Sequence, residues 1–435
     1  MTIKKKVFAV FGPVFCAAVL IAIFFLAPFK LNLGSDKTLA AASTSMATNV
    51  LRGNSIKNKA MATKEYVPFF GSSELSRISP FHPSVLSEKY QRNYRPFLLG
   101  APGTQSLTQA LMIHSMGSEL AGRKVVFIIS PQWFVKRGVS QNYFNARYSE
   151  LQAYQWVTGL KKISDGDRYL AQRLMQFPKV KEDEPLMKAL TAIKDNRLPN
   201  TTTQHYLSWK MNLLSREDEL FSKFGMISKQ PIIERQVRKL PPAYNVKNLD
   251  QLAQKIGAQG TNTNQFQISN KFYRRNLAHR LDKLKGSQRN WDYRFSPEYS
   301  DLQLALEQLA QQKTEVLFII PPVNERWSNF TGLSQEMLQE VAAKIKYQLT
   351  SQGFTNIADL TKEAATPYFM EDTIHLGWRG WLMVDTKVVP FLQQKKQPQT
   401  YQLSPTFYEK KWQQALPPGS KPAPAPAEVE VNVSF

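Results

Sequence analysis

Phe97-Leu98-Leu99-Gly100-Ala101-Pro102-Gly103 is a short apolar run that stops on a glycine-proline turn, and Val125-Val126-Phe127-Ile128-Ile129 repeats the pattern before Ser130-Pro131. Neither run alternates apolar with polar residues, so each reads as a strand buried on both faces rather than one with a wet side. Between them, Thr104 to Arg123 carries Leu107, Leu111 and Met112 at helical spacing, with Gly122 near its end as the expected C-cap. A strand, a helix and a strand in that order predict a parallel sheet with helices packed on its faces.

The same grammar extends in both directions. An earlier apolar stretch beginning at Tyr66 ends at Gly71. Late in the chain, Ser296-Pro297-Glu298 is a helix start, with a serine cap and proline at the first helical position, followed on one face by Leu302, Leu306 and Leu309. Val316 to Ile320 then predicts a buried strand, Ser334 to Leu349 a helix, Asn356 to Asp359 a short strand, and a last helix begins around Gly377 to Trp381 and runs toward Leu392. The sheet is thus expected in two halves, 66–135 and 296–392. Residues 136–295 between them read as a mostly helical insertion over the sheet's edge, with Leu207, Met211, Leu214, Leu220 and Phe221 at amphipathic spacing.

The N-terminus bears on location. Lys4, Lys5 and Lys6 precede an uncharged run from Val7 to Phe29, long enough at about 1.5 Å per residue to cross a bilayer core of about 30 Å. The expectation is a cytoplasmic tail at 1–6, one transmembrane helix at 7–29 and a body outside the cytoplasm, in keeping with the lysines on one side. A cleaved signal peptide fits less well, because its apolar core is normally about 7–15 residues. Residues 30–65, rich in Ser, Thr, Ala, Asn and Lys, read as a stalk. An extracytoplasmic domain follows at 66–408, and a Pro-rich, extended tail at 409–435.

Composition narrows the partners. The 435 residues contain 56 Lys and Arg against 34 Asp and Glu, a net charge of +22, which attracts polyanions such as nucleic acid, anionic lipid or phosphate-rich wall polymers. The single cysteine, Cys16, lies in the apolar run, so a disulfide framework is excluded. Five histidines argue against a multi-histidine metal site, and no cofactor is expected. Residues 270–295 interleave Lys271, Arg274, Arg275, Lys283 and Lys285 with Phe272, Tyr273, Trp291 and Tyr293. In an extracytoplasmic body this segment suits a phosphate polymer or an anionic membrane surface rather than nucleic acid; a solvated helix face paired with local acids is the plain alternative.

Two short segments about 300 residues apart could carry chemistry. Gly71-Ser72-Ser73-Glu74-Leu75 puts a serine directly after a strand, at the carboxyl edge where doubly wound folds hold their sites. Asp372-Thr373-Ile374-His375 puts an acid and a base three residues apart on one turn before a helix. Ser73 as nucleophile, His375 as base and Asp372 as its orienting acid would make an acyl-transfer site. Ser72 competes with Ser73 for the nucleophile role. A helix cap and a surface histidine are the structural alternatives for each segment taken alone. Donors for the developing oxyanion are the backbone N–H groups of Ser73 and Gly103 and the side-chain amide of Gln132.

Taken in order, these blocks resemble the SGNH (GDSL-like) hydrolase superfamily. Gly71-Ser72-Ser73-Glu74-Leu75 matches its Gly-Asp-Ser-Leu block, Gly103 its glycine block and Asp372-Thr373-Ile374-His375 its Asp-x-x-His block. Ser72 stands where the superfamily has Asp, and Ser130-Pro131-Gln132-Trp133 where it has Gly-x-Asn-Asp. The resemblance implies an SGNH-hydrolase-like three-layer α/β fold with a central parallel sheet. Across most of the chain, Phe69-Phe70-Gly71-Ser72-Ser73-Glu74-Leu75, Ser130-Pro131-Gln132-Trp133-Phe134, Ile320-Pro321-Pro322-Val323-Asn324 and Asp372-Thr373-Ile374-His375-Leu376-Gly377-Trp378 look like the D-alanyl-lipoteichoic acid biosynthesis (DltD) family of Gram-positive bacteria. That likeness implies transfer of D-alanine onto lipoteichoic or teichoic acid. The implied partners are a DltB-like membrane O-acyltransferase and a DltC-like D-alanyl carrier protein, met directly or through the membrane partner. The polyanion would bind Arg274, Arg275, Lys283 and Lys285. Two other functions stay open: a D-alanyl esterase or thioesterase that hydrolyses rather than transfers, and a noncatalytic anchored scaffold that gathers the polymer and its machinery.

Overall fold

A computed structural model describes residues 3–26 and 32–418, with the side chains of the first helix described only at 9–19 and 23. β1 (Tyr66–Phe70), β2 (Arg95–Leu99), β3 (Lys124–Ile128), β4 (Glu315–Ile320) and β5 (Ile357–Asp359) form one sheet. The spatial order is β2-β1-β3-β4-β5 and every pairing is parallel.

Successive side chains on a strand point to opposite faces, and here both faces are covered. Phe70, Phe97, Leu99, Phe127 and Phe318 pack against the helices Ser106–Met116, Glu298–Gln311 and Gln335–Thr350. Phe69, Leu98, Val126, Ile128, Leu317 and Ile319 pack against Pro83–Lys89, Gln230–Val237, Val246–Gly260 and Trp378–Gln393. Two-sided burial is why the strands read as unbroken apolar runs. The rings of Phe70 and Phe318 lie 5.7 and 5.8 Å from that of Phe127, tying three neighbouring strands together at about 1.5–3 kcal/mol per buried side chain. The α/β architecture with a central parallel sheet, expected from the apolar runs, is what the chain adopts.

Of the stalk expected at 30–65, the described residues, 32–65, depart from that reading. Asp36–Ser45, Thr48–Arg52 and Ser55–Ala62 are helices, and Leu39, Val50, Leu51, Ile56 and Met61 are buried in the core that covers β1 and β2. Ser35 caps the first of them by accepting the Thr38 N–H. A few well-spaced large apolar residues were enough, and a polar average composition hid them.

The insertion is helical as expected and holds no strand among the described residues, but it does not sit over one edge. Phe144, Tyr148, Trp156, Leu170 and Leu190 extend the core on the first face, whereas Ile233, Leu249 and Ala253 join the core on the second. The helix after β2 stops at Gly117 rather than Gly122, with a 3-10 turn Gly117–Leu120 before β3. Near the C-terminus, Lys410–Gln413 is a helical turn whose Trp412 packs on Phe407, so the tail is ordered to that point; residues 419–435 lie outside the described residues.

Among the described residues no helix is long and apolar enough to cross a membrane. The N-terminal helix Ile3–Leu26 contains Pro13; of the 7–29 run expected as an anchor, residues 27–29 and the side chains of 7, 8, 20–22 and 24–26 lie outside the described residues.

Candidate active site

β1 has β2 on one side and β3 on the other, so connections leaving its carboxyl end diverge and open a crevice there. The chain leaves β1 at Phe70 and enters a 3-10 turn, Ser73–Ser76. Three contacts hold this departure. The Gln109 side chain donates to the Gly71 carbonyl at 2.8 Å, and the Ser72 N–H donates to Glu74 Oε1 at 2.6 Å. Gly100, after β2, lies so close that a Cβ on it would stand 2.0 Å from the Gly71 oxygen, which only glycine permits. Burial raises the Glu74 carboxyl above its usual range, although its N–H donors and nearby His375 pull the other way.

The second segment is a tight turn closed on itself. Met370 and Leu376 form an antiparallel bridge, and the Glu371 N–H donates to the His375 carbonyl at 2.8 Å. Two distant segments clamp it: the Asn324 N–H after β4 donates to the Thr373 carbonyl at 3.0 Å, and the Ser269 N–H from the insertion donates to the Glu371 carbonyl at 2.7 Å. Inside the turn, Asp372 Oδ1 accepts the N–H groups of Ile374 and His375, both at 3.0 Å.

The two segments meet. Ser73 Oγ is 2.7 Å from His375 Nε2, and His375 Nδ1 is 2.8 Å from each Asp372 carboxylate oxygen. Asp372 is fully buried. Burial raises its pKa, but His375, Arg77 at 3.1 Å and the turn N–H groups outweigh that and hold the carboxyl below its usual range. An ionised Asp372 fixes the tautomer with the proton on Nδ1, leaving Nε2 free to accept the Ser73 hydroxyl. Ser72 is excluded from this arrangement, because its hydroxyl is buried and donates to the Ala101 carbonyl at 3.3 Å.

The expected oxyanion donors lie on the loops after β2 and β3, which flank the turn that carries Ser73. Gly103 has φ of +86°, and its Cβ position is filled by the Tyr143 ring, so its left-handed conformation and its packing both call for glycine. Gln132 lies in the 3-10 turn Pro131–Trp133, with a buried amide oxygen that has no hydrogen-bond partner among the described residues. The Gln105 amide donates to the Trp133 carbonyl at 3.0 Å, joining the two loops.

Arg274, Arg275, Lys283 and Lys285 are exposed. None forms an ion pair among the described residues, unlike Arg294, which is held by Asp292 and Glu340. Their segment docks through Phe272, Leu277, Leu281 and Leu284 onto Trp327 and Phe330. It starts beside the acid-base turn, where Arg77 lies over the Phe272 ring at 5.8 Å. Among the described residues no cluster of three or more His, Cys, Asp or Glu side chains is spaced to hold a metal ion.

Arg77 and Glu74 escaped the sequence reading. Both follow Ser73 by one helical turn or less, so a charged residue within four positions of a candidate serine was the available signal. Asn324 and Ser269 act through backbone groups, for which no side-chain signal exists.

Known proteins can be set beside this geometry. The family model described as "DltD protein" matches residues 43–393, a span that holds Ser73, Asp372 and His375. Protein DltD of Lacticaseibacillus rhamnosus is 46% identical over 405 residues, 93% of this chain and 95% of that protein. Protein DltD of Bacillus subtilis is 30% identical over 392 residues, 88% and 96% of the two chains, and that of Staphylococcus aureus 31% over 395 residues, 89% and 97%. With a match across most of its length and relatives of nearly the same extent, the chain belongs to the DltD protein family.

Proposed function

We propose that this chain is a serine acyltransferase of the SGNH type, acting outside the cytoplasm in the D-alanylation of teichoic acid. The observation that carries the proposal is the continuous relay from Ser73 through His375 to a buried, ionised Asp372. His375 Nε2 takes the Ser73 proton as Oγ attacks the carbonyl of a D-alanyl ester or thioester. The resulting oxyanion is met by the Ser73 and Gly103 N–H groups and the Gln132 amide. The intermediate collapses as His375 returns the proton to the departing donor, leaving D-alanine esterified to Ser73. A polymer hydroxyl then gives its proton to His375, attacks the acyl-serine and leaves as the D-alanyl ester, restoring the Ser73 hydroxyl. Asp372 keeps its charge throughout and stabilises the transient imidazolium.

A polyanionic acceptor agrees with the net charge of +22 and with the unpaired cations Arg274, Arg275, Lys283 and Lys285 near the acid-base turn. Donor chemistry of this kind calls for a carrier that brings activated D-alanine, with a DltB-like membrane O-acyltransferase and a DltC-like carrier protein as the partners. A membrane anchor at residues 7–29, with the body outside, is supported by the uncharged run itself and by the exposure of Val10, Phe11, Val14 and Phe15.

The test is Ser73→Ala in the full chain, checked for an unchanged thermal midpoint, with D-alanine esters on the polymer measured. The expected result is a loss of about a thousandfold or more; unchanged esterification would sink the catalytic reading. Mass analysis of the wild-type protein trapped with donor alone identifies the group on Ser73, and adding polymer or water separately distinguishes transfer from hydrolysis.

A further inference from the structure

The helices that replaced the expected stalk form one wall of a cavity of about 560 Å³ beside the nucleophile turn. Ser45 and Asn49 are on that wall, and Ser76, Pro102, Arg147, Phe224 and Lys229 are among the residues that line the rest. The cavity adjoins the catalytic residues through two of these. Ser76 shares the 3-10 turn of Ser73 and donates to its carbonyl at 2.6 Å, and Pro102 precedes Gly103 on the loop after β2.

Its charge is unbalanced. Arg147 and Lys229 are both half-buried, and neither has a carboxylate within ion-pair distance among the described residues. Arg147 spends only its Nε, on the Pro102 carbonyl at 2.9 Å, and burial and the neighbouring Arg52 both disfavour its charge. A half-buried cation without a counter-charge is costly, and two on one cavity make a site that gains from an anion. The facing wall mixes the Ser45 and Thr48 hydroxyls with apolar Met46 and Ala47, while the Asn49 amide on it is already given to the Phe221 and Phe224 carbonyls; hydroxyl and carbon surface side by side suits an anion joined to polyol units. A guanidinium matches phosphate oxygens in pairs.

We propose that this cavity binds a polyol phosphodiester, holding one repeat of the acceptor chain next to Ser73. The proposal rests on Ser73 being an acyl-transfer nucleophile for its role, but not for the binding itself. The exposed cations Arg274, Arg275, Lys283 and Lys285, on the segment that starts beside Arg77, then serve the polymer's continuation. A phosphatidylglycerol headgroup presents the same chemistry as a glycerol phosphate repeat, and the experiment separates the two.

The full chain in phosphatidylcholine nanodiscs is titrated calorimetrically with unesterified glycerol phosphate oligomers, and separately with short-chain phosphatidylglycerol below its micelle concentration. Arg147→Gln and Lys229→Gln are each expected to weaken oligomer binding by about tenfold or more. Lys229→Gln is the safeguard, since Lys229 holds no loop in place and its loss leaves the Arg147–Pro102 contact intact. A fall in the oligomer arm assigns the site to polymer, and a fall confined to the lipid arm assigns it to a headgroup, with the phosphodiester chemistry standing in both. Wild-type affinity for both ligands in both variants overturns the proposal. Ser73→Ala is titrated alongside: oligomer binding retained while esterification proceeds unchanged would remove the catalytic reading and leave this site in place.

Discussion

Two buried polar clusters in this molecule are built from similar parts and do different things. In one, Asp372 is surrounded by His375, Arg77 and two backbone N–H groups. In the other, Asp301 accepts Arg173 Nε at 3.0 Å and the Tyr169 hydroxyl at 2.8 Å, next to Glu298, which accepts the Ser106 N–H at 2.9 Å. Burial, then the neighbouring Asp301, pushes the Glu298 carboxyl up. Both centre on a fully buried aspartate with an arginine. Only the first leads outward, through a histidine to a half-buried serine hydroxyl and an arginine 31% exposed. In the second, Arg173 itself is sealed. A buried charge pair therefore marks a site only when it ends on a group that solvent or substrate reaches; otherwise it joins helices, as Arg173 and Asp301 join Asp165–Leu174 to Glu298–Gln311.

Substitutions can break or sharpen this contrast. Asp372→Asn should act on chemistry, lowering kcat for ester cleavage by about three to four orders of magnitude by favouring the wrong histidine tautomer; steady-state rates with a small activated ester measure it. Arg173→Met should act on folding, costing about 3–5 kcal/mol because Asp301 stays buried without its partner. Denaturant titration reads that loss, while the rate per folded molecule stays at the wild-type level.

Arg77→Gln probes the exposed edge of the first cluster. Arg77 helps hold the Asp372 carboxyl below its usual range, so Asp372 contributes stability that is present above its unfolded value and lost as pH falls through its folded value. Without Arg77 that folded value rises, and acid unfolding followed by circular dichroism should begin at higher pH. The accompanying fall in kcat/KM should be modest, about tenfold or less.

Lys57 gives the smallest effect. It is fully buried, donates to Asn54 at 2.7 Å and to the Gly53 carbonyl, and burial lowers its pKa to about 7 although Asp218 opposes this. Between about pH 7 and the ordinary lysine value the unfolded chain binds more protons, so stability rises with pH across that window. Lys57→Met should flatten the rise by a few degrees in thermal midpoint, leaving the part due to Lys344, also lowered to about 7 by burial.

The sheet was legible because apolar runs such as Val125 to Ile129 are imposed by two-sided burial, and their order along the chain limits the topology to few choices. Ser73 and His375 were legible as types at positions, yet the choice between Ser72 and Ser73 was not. One backbone rotation decides it, sending the Ser72 hydroxyl to Ala101 and the Ser73 hydroxyl to His375. Residues 36–62 misled because averaged composition was polar, while burial depends on where Leu39, Val50, Leu51 and Ile56 fall on each helix. Nor could Arg147 and Lys229 be paired in advance: 82 positions apart, they face one cavity only because segments from both faces of the sheet meet at its carboxyl edge.

By itself, the sequence determined the parallel sheet, the helical insertion and the serine, histidine and aspartate types at their positions, because burial and turn chemistry act locally and leave periodic marks. Which hydroxyl faces the histidine, which arginine steadies the aspartate and which cations share a cavity were decided only by tertiary structure, because those contacts join segments that no local pattern connects.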